Sequence, residues 1–215
     1  MNESSNISGE GLCTYTPLGL INLYQQVITQ EGEDEFFFNA KKNKKLELEW
    51  VKKGYYYRQL YESYNVSLMC LAIHKHYDIK YYIVLSDSPD VVMINKDKCI
   101  PVEVYEAFDF WKVDKREKID IKREVDILKE KKFNKVYGPW VSLLIVNRRK
   151  SIKDWFNVSD YIREINKPPH GNFDRIRLHI FNGAEHIFFE VFPINSQDDL
   201  VRIDYSIQRD KEYLY

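Results

Sequence analysis

Asp90 and Glu103 stand at the two ends of a hairpin that can be read directly from the residues. Val91-Val92-Met93-Ile94 reads as a strand, Asn95-Lys96-Asp97-Lys98 as a turn, and Cys99-Ile100-Pro101-Val102 as the returning strand. If Ile94 pairs with Cys99, then 93 faces 100, 92 faces 101, 91 faces 102, and Asp90 faces Glu103. Directly opposed Cβ atoms lie about 4.5–5.5 Å apart, and like charges so placed destabilise a sheet. The pair therefore needs a compensating partner, and a divalent cation is the natural candidate. Mg2+ takes carboxylate oxygens and keeps several waters. The plainer reading is two polar residues at the frayed end of a hairpin. A slip of one residue in register would separate them.

The flanking residues fit a hairpin placed at one end of a sheet. Ser88-Pro89 turns the chain into the first strand, and Pro89 sets the edge where pairing begins. Alternation along the second strand puts Tyr105 on the face of Glu103 and Glu106 on the other. Upstream, 17–30 reads as a short helix and 40–53 as another, with Gly54 as an interruption. A further helix covers about 57–76, where Leu60, Tyr64, Leu68, Leu71 and Ala72 follow helical spacing. Tyr81–Leu85 is a β-rich run ahead of the hairpin. Downstream, 112–135 holds ten basic and six acidic residues. From about 118 it is helical, with Ile121, Val125, Leu128 and Val136 on one face, and Gly138-Pro139 stops it.

Val141–Val146 is a continuous apolar run, read as a buried strand. Residues 151–165 are a short helix or irregular. Ile176–Phe181 and Ile187–Phe192 form a hairpin about Asn182-Gly183, and Val201–Ile203 adds an edge strand. The class is α/β or α+β: a central mixed sheet with an early hairpin, flanked by helices, and a C-terminal hairpin. Residues 1–35 form an acidic, partly disordered lead, and 36–215 a single domain.

The stretch from Ser86 through Pro89-Asp90 to Ile94, then Ile100-Pro101-Val102-Glu103-Val104-Tyr105-Glu106-Ala107, resembles the core of the PD-(D/E)xK nuclease superfamily. That superfamily has the restriction-endonuclease-like fold. Its signature is Pro-Asp on one strand and (Asp/Glu)-x-Lys on the next. The likeness spans about residues 45–190 in α-β-β-β-α-β order, and includes the Lys-rich helix, Pro139-Trp140 and Phe173-Asp174-Arg175-Ile176. It implies a nuclease that uses Mg2+ or Mn2+ to hydrolyse phosphodiester bonds of nucleic acid, with DNA the expected substrate. Asp90, Glu103 and the carbonyl of Val104 would hold the metal. The metal would acidify a bound water and neutralise charge on the phosphate. A Glu of the preceding helix joins such sites: Glu62 first, then Glu49 and Glu47. Glu62 lies about 200° from Leu60 on a helical wheel, which also suits a surface acid.

The signature Lys position holds Tyr105 here. A tyrosine, with pKa near 10, donates a hydrogen bond but is a poor base at neutral pH. Three outcomes stay open: a migrated Lys (Lys112, Lys132 or Lys135) replaces it, metal-activated water suffices, or the domain only binds nucleic acid or a protein partner. An unrelated α+β interaction protein is the reading outside this superfamily. A homodimer would suit cutting both strands of a duplex.

Composition limits these readings. The formal net charge of -1 combines an N-terminal 35 residues with six acids and no Lys or Arg, and a remainder with a net of +5. The basic clusters at 41–45 and 112–135, and Arg148-Arg149-Lys150, could contact phosphates, while the plainer reading of each charge run is a solvated face. No run approaches the roughly 18 apolar residues of a membrane span. The N-terminus lacks signal-peptide features, so a cytoplasmic location is expected. Cys13, Cys70 and Cys99 match neither a disulfide frame nor a zinc pattern. His179 and His186 are expected opposite each other on a solvated face of the C-terminal hairpin. No Walker motif, G-x-G-x-x-G or Ser-His-Asp order appears.

Overall fold

The computed structural model describes residues 14–32, 48–86, 89–107, 120–147, 158–169, 171–182, 185–193 and 201–215. These residues form an eight-stranded mixed sheet. Its strands are β1 (Thr14–Tyr15), β2 (Tyr82–Leu85), β3 (Val91–Ile94), β4 (Cys99–Ala107), β5 (Ser142–Asn147), β6 (Arg175–Asn182), β7 (Glu185–Phe192) and β8 (Arg202–Tyr205). They lie side by side in chain order. β1 to β4 make an antiparallel meander, β4 to β6 are parallel, and β6 to β8 are antiparallel again. Parallel neighbours need crossover connections. The helices α3 (Ile121–Leu128) and α4 (Val158–Ile165) lie in those two connections, while α1 (Pro17–Glu31) and α2 (Leu48–Tyr77) precede β2.

The sheet separates two cores. Along β5 every side chain is buried, and alternate residues serve opposite sides. Leu144 and Val146 join α1 and α2 residues such as Leu20, Ile21, Leu60 and Leu68. Leu143 and Ile145 join Val125, Leu128, Tyr161 and Ile165 of α3 and α4. This explains the unbroken apolar run at 141–146: both faces of the strand are covered. α1 starts at Thr16, whose Oγ1 accepts from the Gly19 amide at 3.1 Å. No helix among the described residues is long and apolar enough to cross a membrane.

The structure corrects three local expectations. α2 runs through Gly54 without a break. A helical glycine costs only about 1 kcal/mol relative to alanine, and a long packed helix absorbs that. Of the two readings of 151–165, a short helix or irregular chain, the helix is found, over Val158–Ile165. Val136 is not on the buried face of the Lys-rich helix but 91% exposed, because α3 ends at Leu128 and passes into a π-helical turn, Lys129–Phe133. The chain leaves the helix before Val136, and Phe133 takes the buried place. Finally, the C-terminal hairpin closes one position later than expected, so His179 faces Phe188 and His186 faces Phe181. The two histidines are diagonal neighbours, with His179 Nε2 and His186 Nδ1 3.1 Å apart, and both are buried rather than solvated.

Candidate functional site

The β3–β4 register matches the arithmetic from the sequence as far as Val91: Ile94 faces Cys99, Met93 faces Ile100, Val92 faces Pro101 and Val91 faces Val102, and the ladder ends there, without the expected pair of Asp90 and Glu103. Asn95 fixes the turn, its Oδ1 accepting from the amides of Asp97 (2.9 Å) and Lys98 (2.7 Å). Pro101 is tolerated because the ladder to β5 begins only at Val102. Asp90 stands one residue before β3 and reaches across to β4, where its Oδ2 accepts from the Val104 amide at 2.8 Å. Glu103 sits where β4 passes from β3 to β5, opposite Leu143. Both carboxylates are buried, Asp90 at 8% exposure and Glu103 at 6%.

Their common partner is Lys132. Its Nζ donates to Glu103 Oε2 at 2.6 Å and lies 3.9 Å from Asp90 Oδ2. Lys132 is itself buried, unlike the exposed Lys131 and Lys135 beside it. The π-helical turn accounts for this. It widens one turn of the helix, so that Lys132 and Phe133 both face inward. Turns of this kind inside helices occur often at functional sites. Gly171 seats the turn: its φ is +63°, and a Cβ there would lie 3.1 Å from the Cα of Phe133.

Glu62 enters from α2. It is buried despite its helical angle from Leu60, because α2 lies between α1 and the sheet and is covered on nearly all sides from Tyr57 to His74. Burial, then the charge of Asp90, pushes its carboxyl up to about 7, against the pull of Arg58 and Lys132. Arg58 Nε donates to Glu62 Oε1 at 2.7 Å, and its Nη2 lies 3.6 Å from Asp90 Oδ1. Asp90 is also shifted upward by burial, opposed by Lys132 and the Val104 amide. The group thus holds three carboxylates and two cations, an excess of one negative charge when all are ionised.

Of the other expected residues, Tyr105 is buried on the α3 side, and its hydroxyl donates to Glu124 Oε1 at 3.0 Å. Lys135 is exposed on the segment after the π-helical turn. Lys112, Arg148, Arg149 and Glu47 lie outside the described residues, as does the side chain of Glu49. Two members of the group were not anticipated. Arg58 had a signal, the i, i+4 spacing to Glu62. Tyr137, whose hydroxyl approaches Glu103 Oε2 at 3.5 Å, had none.

Carboxylate oxygens are the donors that hard cations such as Mg2+ take, and the carboxylates of this group are buried, with negative charge in excess when all are ionised. Among the described residues no group of three or more His, Cys, Asp or Glu side chains is arranged to hold a metal ion. Asp90 and Glu103 meet on the ammonium of Lys132, as Glu62 and Asp90 meet on the guanidinium of Arg58. No family model matches the chain, and no curated protein or solved structure matches it.

Proposed function

We propose that this chain is a divalent-metal-dependent nuclease of the PD-(D/E)xK kind, in which the signature lysine has moved from β4 to the π-helical turn as Lys132. One observation carries the proposal: two buried carboxylates on adjacent strands, Asp90 and Glu103, converge on one buried lysine. The order α2-β2-β3-β4-α3-β5 supports the restriction-endonuclease-like core.

Asp90, Glu103 and the carbonyl of Val104 would hold Mg2+ or Mn2+. When bound, the cation supplies Lewis-acid polarisation of the phosphate and a more acidic water. The Val104 amide holds Asp90 in place through Oδ2, while Oδ1 faces Arg58, 3.6 Å from its Nη2. Lys132 has three N–H donors; with one on Glu103, two remain for the attacking water or a phosphate oxygen. Its charge stabilises the developing negative charge of the phosphoryl group. Tyr105 is a positioning residue, fixing α3 against β4 through Glu124. The substrate is nucleic acid, with DNA expected.

A second reading is a module of the same fold that binds nucleic acid or a protein partner without cleaving. It is favoured by Lys132 itself, which already satisfies Glu103 at 2.6 Å. The test is cleavage of labelled DNA and RNA oligonucleotides with Mg2+ or Mn2+, using wild type and Lys132→Met. Cleavage that is lost in the variant supports the nuclease. Oligonucleotide binding with no cleavage by either protein selects the binding module.

A further inference from the structure

The side chain of Arg58 is 52% exposed although it meets two buried carboxylates. A guanidinium carries five N–H donors in a rigid fork matched to carboxylate and phosphate oxygens. Among the described residues, one of those donors makes a hydrogen bond, Nε to Glu62 Oε1 at 2.7 Å. The contact to Asp90 Oδ1, at 3.6 Å, is an ion pair beyond hydrogen-bond length. Glu62 therefore holds the half-exposed guanidinium through Nε, beside Asp90, with no hydrogen bond from its other donors among the described residues.

We propose that the free edge of Arg58 is the binding site for a phosphodiester of the substrate, and that it works together with the cation site; this rests on the nuclease reading above. A phosphate placed there without a cation would face Glu62 and Asp90 as like charges. A divalent cation held by Asp90 and Glu103 would reverse that repulsion and would serve as counter-ion to Asp90 in place of Arg58. Arg58 Nη2 would then be free to meet the phosphate, while Nε stays anchored on Glu62. Phosphate and cation thus strengthen each other's binding, and by linkage the coupling is reciprocal. Arg58 and the cation by themselves compete for Asp90.

The two relations have opposite signs, which separates this role from a purely structural ion pair. The experiment compares wild type, Arg58→Gln and Arg58→Lys, each checked for folding by circular dichroism. Mn2+ alone is titrated calorimetrically. A short phosphorothioate oligonucleotide is then titrated by fluorescence anisotropy with and without Mn2+, over a range of salt. Arg58→Gln is expected to bind Mn2+ at least as tightly as wild type. Its oligonucleotide affinity with Mn2+ falls about tenfold, the loss of one charge-assisted contact. The slope of log affinity against log salt falls by about one unit. Arg58→Lys keeps the slope but loses part of the affinity. Unchanged oligonucleotide affinity and slope in Arg58→Gln would overturn the proposal. So would weaker Mn2+ binding in that variant. If wild type cleaves DNA while Arg58→Gln binds normally, this inference alone fails. If wild type binds neither Mn2+ nor the oligonucleotide, the nuclease reading falls with it.

Discussion

Lys132 lies between two buried carboxylates, those of Asp90 and Glu103. Removing one partner of a buried pair strands the other charge, which typically costs about 3–5 kcal/mol. Lys132→Met and Glu103→Gln should each destabilise the fold by an amount of that order in urea titrations. The double variant should lose clearly less than the sum, as a double-mutant cycle detects. Cleavage should fall by about 100-fold or more in Lys132→Met, the range for losing a group that handles the proton or the charge.

Glu62 gives a pH signature. Its folded-state pKa, about 7, lies above the usual value of 4.5. The folded state therefore holds the proton more tightly than the unfolded chain. That contribution is complete below pH 4.5 and is lost as the pH rises through 7, at most about 3 kcal/mol for a shift of this size. Denaturation of wild type against Glu62→Gln from pH 5 to 8 should show a stability difference that changes in Gln's favour as the pH rises. A difference that is flat with pH would mean Glu62 is ionised throughout.

At the scale of elements, the β3–β4 register was legible, since an apolar run, an Asn-led turn and the pairing of 94 with 99 determine the four pairs of the ladder; the extension of β4 to Ala107 was not, because its later residues pair with β5 and not with β3. The buried strand β5 was legible for the same reason, an apolar run too short for a helix. The π-helical turn was not. Lys132 lies four residues after buried Leu128 and seven after Val125, a spacing that marks the inner face of a helix. In a segment with ten basic residues that signal is hidden among solvated lysines. The burial of Glu62 was hidden for another reason: a wheel argument assumes one apolar face, and α2 is covered nearly all round. The seat of the π-helical turn offers a test. Gly171→Ala places a side chain at positive φ and against Phe133. It should cost about 1–3 kcal/mol in thermal unfolding and lower cleavage by shifting Lys132, with no change at Asp90 or Glu103.

Across the whole molecule, the site lies within the sheet, between the two cores, and draws on both helical layers. α2 supplies Arg58 and Glu62, the π-helical turn after α3 supplies Lys132, and the strands supply the carboxylates. Charge balance links this site to stability. Since the group carries more negative than positive charge, a bound divalent cation should stabilise the fold by mass action, by RT ln(1 + [L]/Kd). Thermal unfolding should shift upward with Mn2+ in wild type and stay fixed in Asp90→Asn.

The most direct measurement is cleavage of supercoiled plasmid with Mn2+ and with Mg2+ by wild type, Asp90→Asn and Glu103→Ala, each confirmed as folded. The account predicts nicking or linearisation by wild type that requires the cation and disappears in both variants. The same trace activity in all three proteins, or no cleavage by wild type with either cation, would contradict it.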